Sequence, residues 1–191
     1  LFKRGQQWQG ILDFSGGGSN GAPITLGAYD TGPKPMFTYA DDIPEWAGPK
    51  NSVYSYTTGG PWCYGIFEDG NKLRRASDSS LTNGNWHFDG GSRIISYKPT
   101  SGVAGDHDVQ YVPTSYLLRL NGAHVDVQNM AFEYAGGGIV ANTGTSHINV
   151  QNCVLTHFYS CAVNFYNTTG KCSATQNVIS NSGNGIYLIH D

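Results

Sequence analysis

The last third of the chain repeats itself. His124-Val-Asp-Val-Gln-Asn129 returns as His147-Ile-Asn-Val-Gln-Asn152, and the Gln-Asn pair comes back once more in Cys172-Ser-Ala-Thr-Gln-Asn177, after 23 and then 25 residues. A second marker follows each pair: Gly138-Ile139-Val140, Ala162-Val163-Asn164 and Gly185-Ile186-Tyr187, spaced by 24 and 23 residues. Two independent markers on one period describe an architecture built by stacking one short unit on the next.

The residues inside the period give the unit its shape. Val125 and Val127, then Ile148 and Val150, alternate with polar Asp126 and Asn149, the period-2 pattern of half-buried strands. A second alternating run follows in each repeat, beginning at Ile139, Val163 and Ile186, with Gly-, Asn- and Thr-rich turns between. A four-stranded propeller blade needs roughly 40 residues, and the Leu-x-x-Leu-x-Leu spacing of leucine-rich repeats is missing. The unit suits one coil of a parallel β-helix. Asn129, Asn152 and Asn177, each at a bend after an apolar strand, are expected to form a structural ladder, amide on amide.

Composition narrows the class further. Only 13% of the 191 residues are charged, the net charge is -3 and the pI is near 6.0, with no basic stripe for nucleic acid. An aromatic share of 13% argues against a disordered chain. No apolar run approaches the roughly 18 residues of a membrane span. Cys63, Cys153, Cys161 and Cys172 contain no CxxC pair, so they read as small buried hydrophobes, with disulfides open if the protein is exported.

The front half is organised differently. Residues 1–37 show strand-like runs, and 38–52, rich in Pro, Asp and Gly, read as a loop. Trp62 to Leu73 reads as a hairpin turning at Asp69-Gly70-Asn71, and Asn85 to Tyr97 as a second turning at Asp89-Gly-Gly-Ser92, followed by a polar connector over 98–108. The expectation is a single domain over 1–191, with a small antiparallel hairpin insertion at 53–98 and regular coils of about 23–25 residues over 109–191.

Phe2-Lys-Arg-Gly5, Pro23-Ile-Thr-Leu-Gly-Ala-Tyr29 with Gly32, and the Gly-Ile-Tyr coil ending resemble the right-handed parallel β-helix proteins of the pectin-lyase-like superfamily. Phe67-Glu-Asp-Gly70, Asn85-Trp-His-Phe-Asp89 and Ile94-Ile-Ser-Tyr-Lys-Pro99 are similar to the hairpin insertion of many bacterial members. The resemblance covers essentially the whole chain and implies an all-β, right-handed parallel β-helix, export to the periplasm, cell surface or medium, and a polysaccharide partner. Superfamily members include lyases, hydrolases, epimerases and non-catalytic adhesins, so the fold does not choose among them. The Asn-Thr-Asp, Gly-His-Gly and Arg-Ile-Lys signatures of polygalacturonase-like members are missing, the Asp-Asp pair occurs only at Asp41-Asp42, outside the coils, and the calcium-binding aspartates of pectate lyases are not recognisable. No cofactor is evident, with Ca2+ possible. Members run for several more coils, which makes this chain read as a fragment of a longer solenoid.

A lyase needs a base at the C5 proton, a group that neutralises the uronate and an acid for the leaving oxygen; a hydrolase needs two carboxyls. In stacked coils such groups come from outward positions about 4.8 Å apart along the axis. Glu133 above Thr156, with Tyr134 beside His157, makes one acid/base set, so Glu133 and His157 are catalytic candidates. Asp191, beside His190 and near Asn164 and Tyr166, is a third. His124 above His147, with Asp126 above Asn149, forms another column, readable as a base, a metal site or solvated turn residues. Trp46, Trp62 and Tyr166 are candidate sugar platforms, and Arg74 and Arg75 candidate partners for an acidic sugar. Asp106-His107-Asp108 invites a metal reading, but consecutive residues splay to opposite sides of an extended chain, and no metal ligand is assigned. A non-catalytic carbohydrate-binding or cell-surface module is the competing reading.

Overall fold

The computed structural model describes residues 1–78 and 80–189. Among them the protein is all-β, with one 3-10 turn at Ala104–Asp106 and no α-helix. No helix is long and apolar enough to cross a membrane. The chain divides into two compact units, one formed by 1–39 and 115–191, the other by 40–114.

The first unit consists of parallel sheets. The chain passes the same three strand positions repeatedly. The first pass is Phe2–Lys3, Gln7–Gln9 and Leu12–Phe14; the second is Ile24–Tyr29, Met36–Thr38 and, after the whole second unit, Tyr116–Leu120. The third is Val125–Gln128, Ala131–Ala135 and Gly137–Ala141. In the fourth and fifth, Ile148–Gln151 and Ser173–Thr175 are each followed by one long strand, Val154–Tyr166 and Val178–Ile189, that covers the second and third positions together. The first positions pair into a five-stranded parallel sheet, and the others into an eight-stranded one that curls into a half-barrel because the long strands run through both of its halves.

Register explains the period. Val125 lies opposite Ile148, Ile139 opposite Val163 and Val163 opposite Ile186, so like residues stack. Leu26, Val127 and Val150 share one inward column, and Trp8, Phe37, Phe132 and Leu155 another, with Trp8 stacked on Phe37 at 5.3 Å. Each such aliphatic side chain contributes about 2 kcal/mol when fully buried. Between strands the chain turns through left-handed residues at Asn129, Asn152 and Gln176 (φ 62°, 50° and 55°), and within the strands that follow it bends at left-handed Tyr134, His157 and Asn181 (φ 52°, 57° and 49°).

The asparagine ladder forms over its first two rungs: Asn152 Nδ2 donates to Asn129 Oδ1 at 2.7 Å. Asn177 is not its third rung. The last step is 24 residues in register, not 25, so Gln176 takes the left-handed position, while Asn177 Oδ1 accepts from Cys153 N at 2.8 Å and its Nδ2 donates to Val150 O at 2.9 Å.

The second unit holds a four-stranded sheet and a five-stranded sheet whose pairs are antiparallel except at its Arg74–Arg75 edge. Gly65–Glu68 turns back into Asn71–Lys72 through Asp69 and Gly70, both at positive φ. Asn85–Asp89 pairs with Ile94–Lys98. Trp86, Tyr97, Ile66 and Ile95 are fully buried, and Trp86 Nε1 donates to Leu73 O. The stretch read as a loop over 38–52 instead carries two short strands, Asp41–Asp42 and Ala47–Lys50, at the edges of these sheets. Their weak pattern follows from that place, since an edge accepts Pro49 and needs no alternating apolar face.

Candidate functional site

Glu133 and His157 meet on the outer side of the curled sheet. Glu133 stands in a column with Gln9, Thr38, Thr156 and Ser180, one residue from each pass. The neighbouring left-handed corner carries Tyr134, His157 and Asn181, and the left-handed backbone turns these side chains away from the core. The Tyr134 ring stacks on the His157 imidazole at 4.5 Å and 15°.

Asn181 Nδ2 donates to His157 Nε2 at 2.9 Å, which makes Nε2 the acceptor of a neutral ring and puts the hydrogen on Nδ1. Nδ1 lies 3.2 Å from Glu133 Oε1 and 3.1 Å from Thr156 Oγ1, and Thr156 Oγ1 lies 2.9 Å from Ser180 Oγ. A carboxylate therefore fixes the tautomer and orientation of an imidazole whose basic nitrogen sits under an amide. The side chains are 22% and 16% exposed, so solvent and ligand reach both.

The other expected residues are distributed as follows. His124 and His147 stack at 4.3 Å and 12°, with Asp126 opposite Asn149, whose Oδ1 accepts from Ser173 Oγ. Tyr166 is exposed, whereas Asn164 is buried and donates to Tyr116 OH at 2.9 Å. Burial pushes the Tyr116 phenol up to about 12. Asp191 and its neighbour His190 lie outside the described residues. Trp62 is exposed, with Arg93 over its ring at 5.0 Å. Trp46 packs on Tyr97 at 4.9 Å and lines a cavity of about 380 Å³ with Glu45, Tyr54 and His107. Arg74 is exposed, and Arg75 lies 5.3 Å over Trp86. Cys63, Cys153 and Cys161 are buried thiols, and burial raises Cys63 to about 12 and Cys153 to about 11.

A second charged cluster, in the second unit, was not legible in the sequence. His107 turns to Glu68 and Asp69 and not to its neighbours Asp106 and Asp108. Its Nδ1 lies 2.7 Å from Asp69 Oδ2 and 3.6 Å from Glu68 Oε1, and its Nε2 lies 2.9 Å from Ser101 O. Acceptors face both ring nitrogens, an arrangement that favours the protonated ring. Glu68, 3% exposed, also accepts from the Tyr97 hydroxyl and from the Thr100 hydroxyl and N–H. The Asp69 hydrogen bond, followed by the Ser101 carbonyl, holds the His107 pKa above its usual value, and His107 and then the Asp108 N–H hold Asp69 below its own. Three groups that could ligate a metal, Glu68, Asp69 and His107, converge here, with Glu68 already held by Tyr97 and Thr100.

No protein-family model and no curated protein matches the chain. A solved structure described as the complex of XylC with xylose is similar in fold, at a TM-score of 0.59 and 11% identity over 92% of this chain. The match covers 38% of the length of that protein.

Proposed function

We propose that the stacked passes form a right-handed parallel β-helix of the pectin-lyase-like kind, part of a longer solenoid, and that the protein acts on polysaccharide outside the cytoplasm. The passes, their 23–24-residue register and the likeness to a xylose-bound structure support this reading. The observation that carries an enzymatic role is the Glu133–His157 pair: an outward imidazole oriented by a carboxylate is the usual equipment for moving a proton.

In this reading substrate displaces the Asn181 amide and His157 Nε2 takes the proton from C5 of a uronate. The C5–H electrons form the C4–C5 double bond as the C4–O bond breaks, the leaving oxygen takes a proton from water, and the imidazolium then returns its proton to the hydroxide. Elimination is preferred over hydrolysis because Glu133 is flanked in its column by Thr38 and Thr156, not by a second carboxylate. Tyr166, exposed in the same unit, is the proposed sugar platform. Glu133→Gln and His157→Ala should each lower turnover roughly 100-fold with the fold intact by circular dichroism. Unchanged turnover in both variants would remove the site from the account.

A non-catalytic binding module is the second reading. Occupation of both His157 ring nitrogens favours it, and it predicts affinity for the same glycans without product.

A further inference from the structure

The five-stranded sheet of the second unit has one buried face and one open face. Trp86, Tyr97 and Tyr54 point into the core from adjacent strands. The neighbouring residues point the other way, and register brings their charges onto one row. Arg74 lies opposite Asn85, and Asn85 opposite Lys98. Tyr97 pairs with Tyr54, so Lys98 and Val53 are the next residues at that end of the two strands, and Val53 is itself opposite Lys50. Strand order then places a cation on the first, third and fifth strands. With strands about 4.8 Å apart, alternate strands, and the cations they carry, are spaced by about 10 Å across the sheet.

The row borders a cavity of about 720 Å³, lined by Lys50 and Lys98 with Asn51, Ser55 and Ser80 and without a carboxylate among its described residues. Among the described residues Arg74, Lys98 and Lys50 form no ion pair. Asp89, also on this face, lies at its far end and accepts from Gly91 N and Ser92 Oγ. In a chain of net charge -3, three cations left together on one flat face are positioned for a ligand and not for folding.

We propose that this row binds a linear acidic glycan, whose anionic groups meet Arg74, Lys98 and Lys50 in turn while the hydroxyl and amide side chains between them contact the sugar hydroxyls. The proposal rests on the polysaccharide reading above and adds to it a second site, in the other unit, that holds an acidic chain by its charges. A 1,4-linked glycan in a two-fold conformation presents a substituent in the same direction on every second sugar, which suits cations on every second strand. The shared ligand chemistry is a carboxylate or sulfate on a sugar chain.

The test is binding of the intact chain to polygalacturonate, dextran sulfate and neutral xylan, at low and high salt. The triple variant Arg74→Gln, Lys98→Gln, Lys50→Gln and the single reversal Lys98→Glu are compared with wild type. Arg74 and Lys50 are exposed and Lys98 is half-buried, so thermal melts are run beside the binding assays, and a variant counts only where its melt matches wild type. The expected result is salt-dependent binding of at least one polyanion, at least tenfold weaker in the triple variant and weakened in the reversal. Which polyanion binds tells carboxylate from sulfate. Polyanion binding that survives in the triple variant overturns the site while leaving the polysaccharide reading standing. Neutral xylan bound as tightly as either polyanion overturns the charge argument, and silence with all three glycans overturns the site together with the reading beneath it.

Discussion

His107 has an acceptor at each ring nitrogen, and that arrangement fixes how stability should depend on pH. Its folded pKa is raised, so the pairing stabilises fully below the unfolded value of about 6.5 and is lost as pH rises through the folded value. Asp69 has the opposite sign: its contribution is present above about 3.9 and is lost as pH falls through its depressed folded value. The difference in melting temperature between wild type and His107→Gln should therefore be largest in the mildly acidic range and shrink at alkaline pH. In that acidic range the variant should melt measurably lower, because it loses the charge-assisted bond to Asp69 and the bond to the Ser101 carbonyl. A difference that grows with pH would contradict the imidazolium. This cluster was hidden in the sequence for a plain reason: Glu68 and His107 are joined by pairing between distant strands, and the residues adjacent to His107 in the chain, Asp106 and Asp108, point elsewhere. Glu133 and His157 were readable because a repeat lets one coil be laid over the next by counting.

At the scale of strands and turns, two glycines separate close packing from backbone conformation. A Cβ on Gly138 would meet Ala162 O at 2.4 Å and the Phe158 ring at 3.0 Å, inside the curled sheet. Gly138→Ala should cost about 3 kcal/mol in denaturant melts. Gly144 has open space around it but a φ of +83°, so Gly144→Ala should cost only about 1 kcal/mol, from backbone strain alone. Equal losses would mean that the curled sheet gives way more easily than its contacts imply. The strands themselves were legible because Val125, Val127, Ile148 and Val150 alternate cleanly with polar residues. The third asparagine was misassigned because Gln-Asn was matched as a pair. The structure matches left-handed corners, and there Gln176 replaces asparagine.

The two units are separable in the chain. In the third pass the second and third strand positions are joined through Gly136 alone, whereas in the second pass the same junction carries residues 40–114. Replacing 40–114 by one or two glycines should leave the parallel sheets intact, with cooperative melting and a β-type far-UV spectrum. Loss of structure would mean that the parallel unit does not fold without the other. Sequence alone identifies hairpins over 62–73 and 85–97 from their Asp-Gly turns, which the structure pairs as 65–68 with 71–72 and 85–89 with 94–98, but it passes over the edge strands at 41–42 and 47–50, which lack alternation.

The most direct measurement for the account as a whole is product analysis on a panel of polysaccharides, with and without calcium, comparing wild type with Glu133→Gln. Unsaturated uronates, seen as rising ultraviolet absorbance and nearly abolished in the variant, are the result predicted by the oriented His157 on its stacked scaffold. New reducing ends without that absorbance, or turnover equal in both proteins, would contradict it.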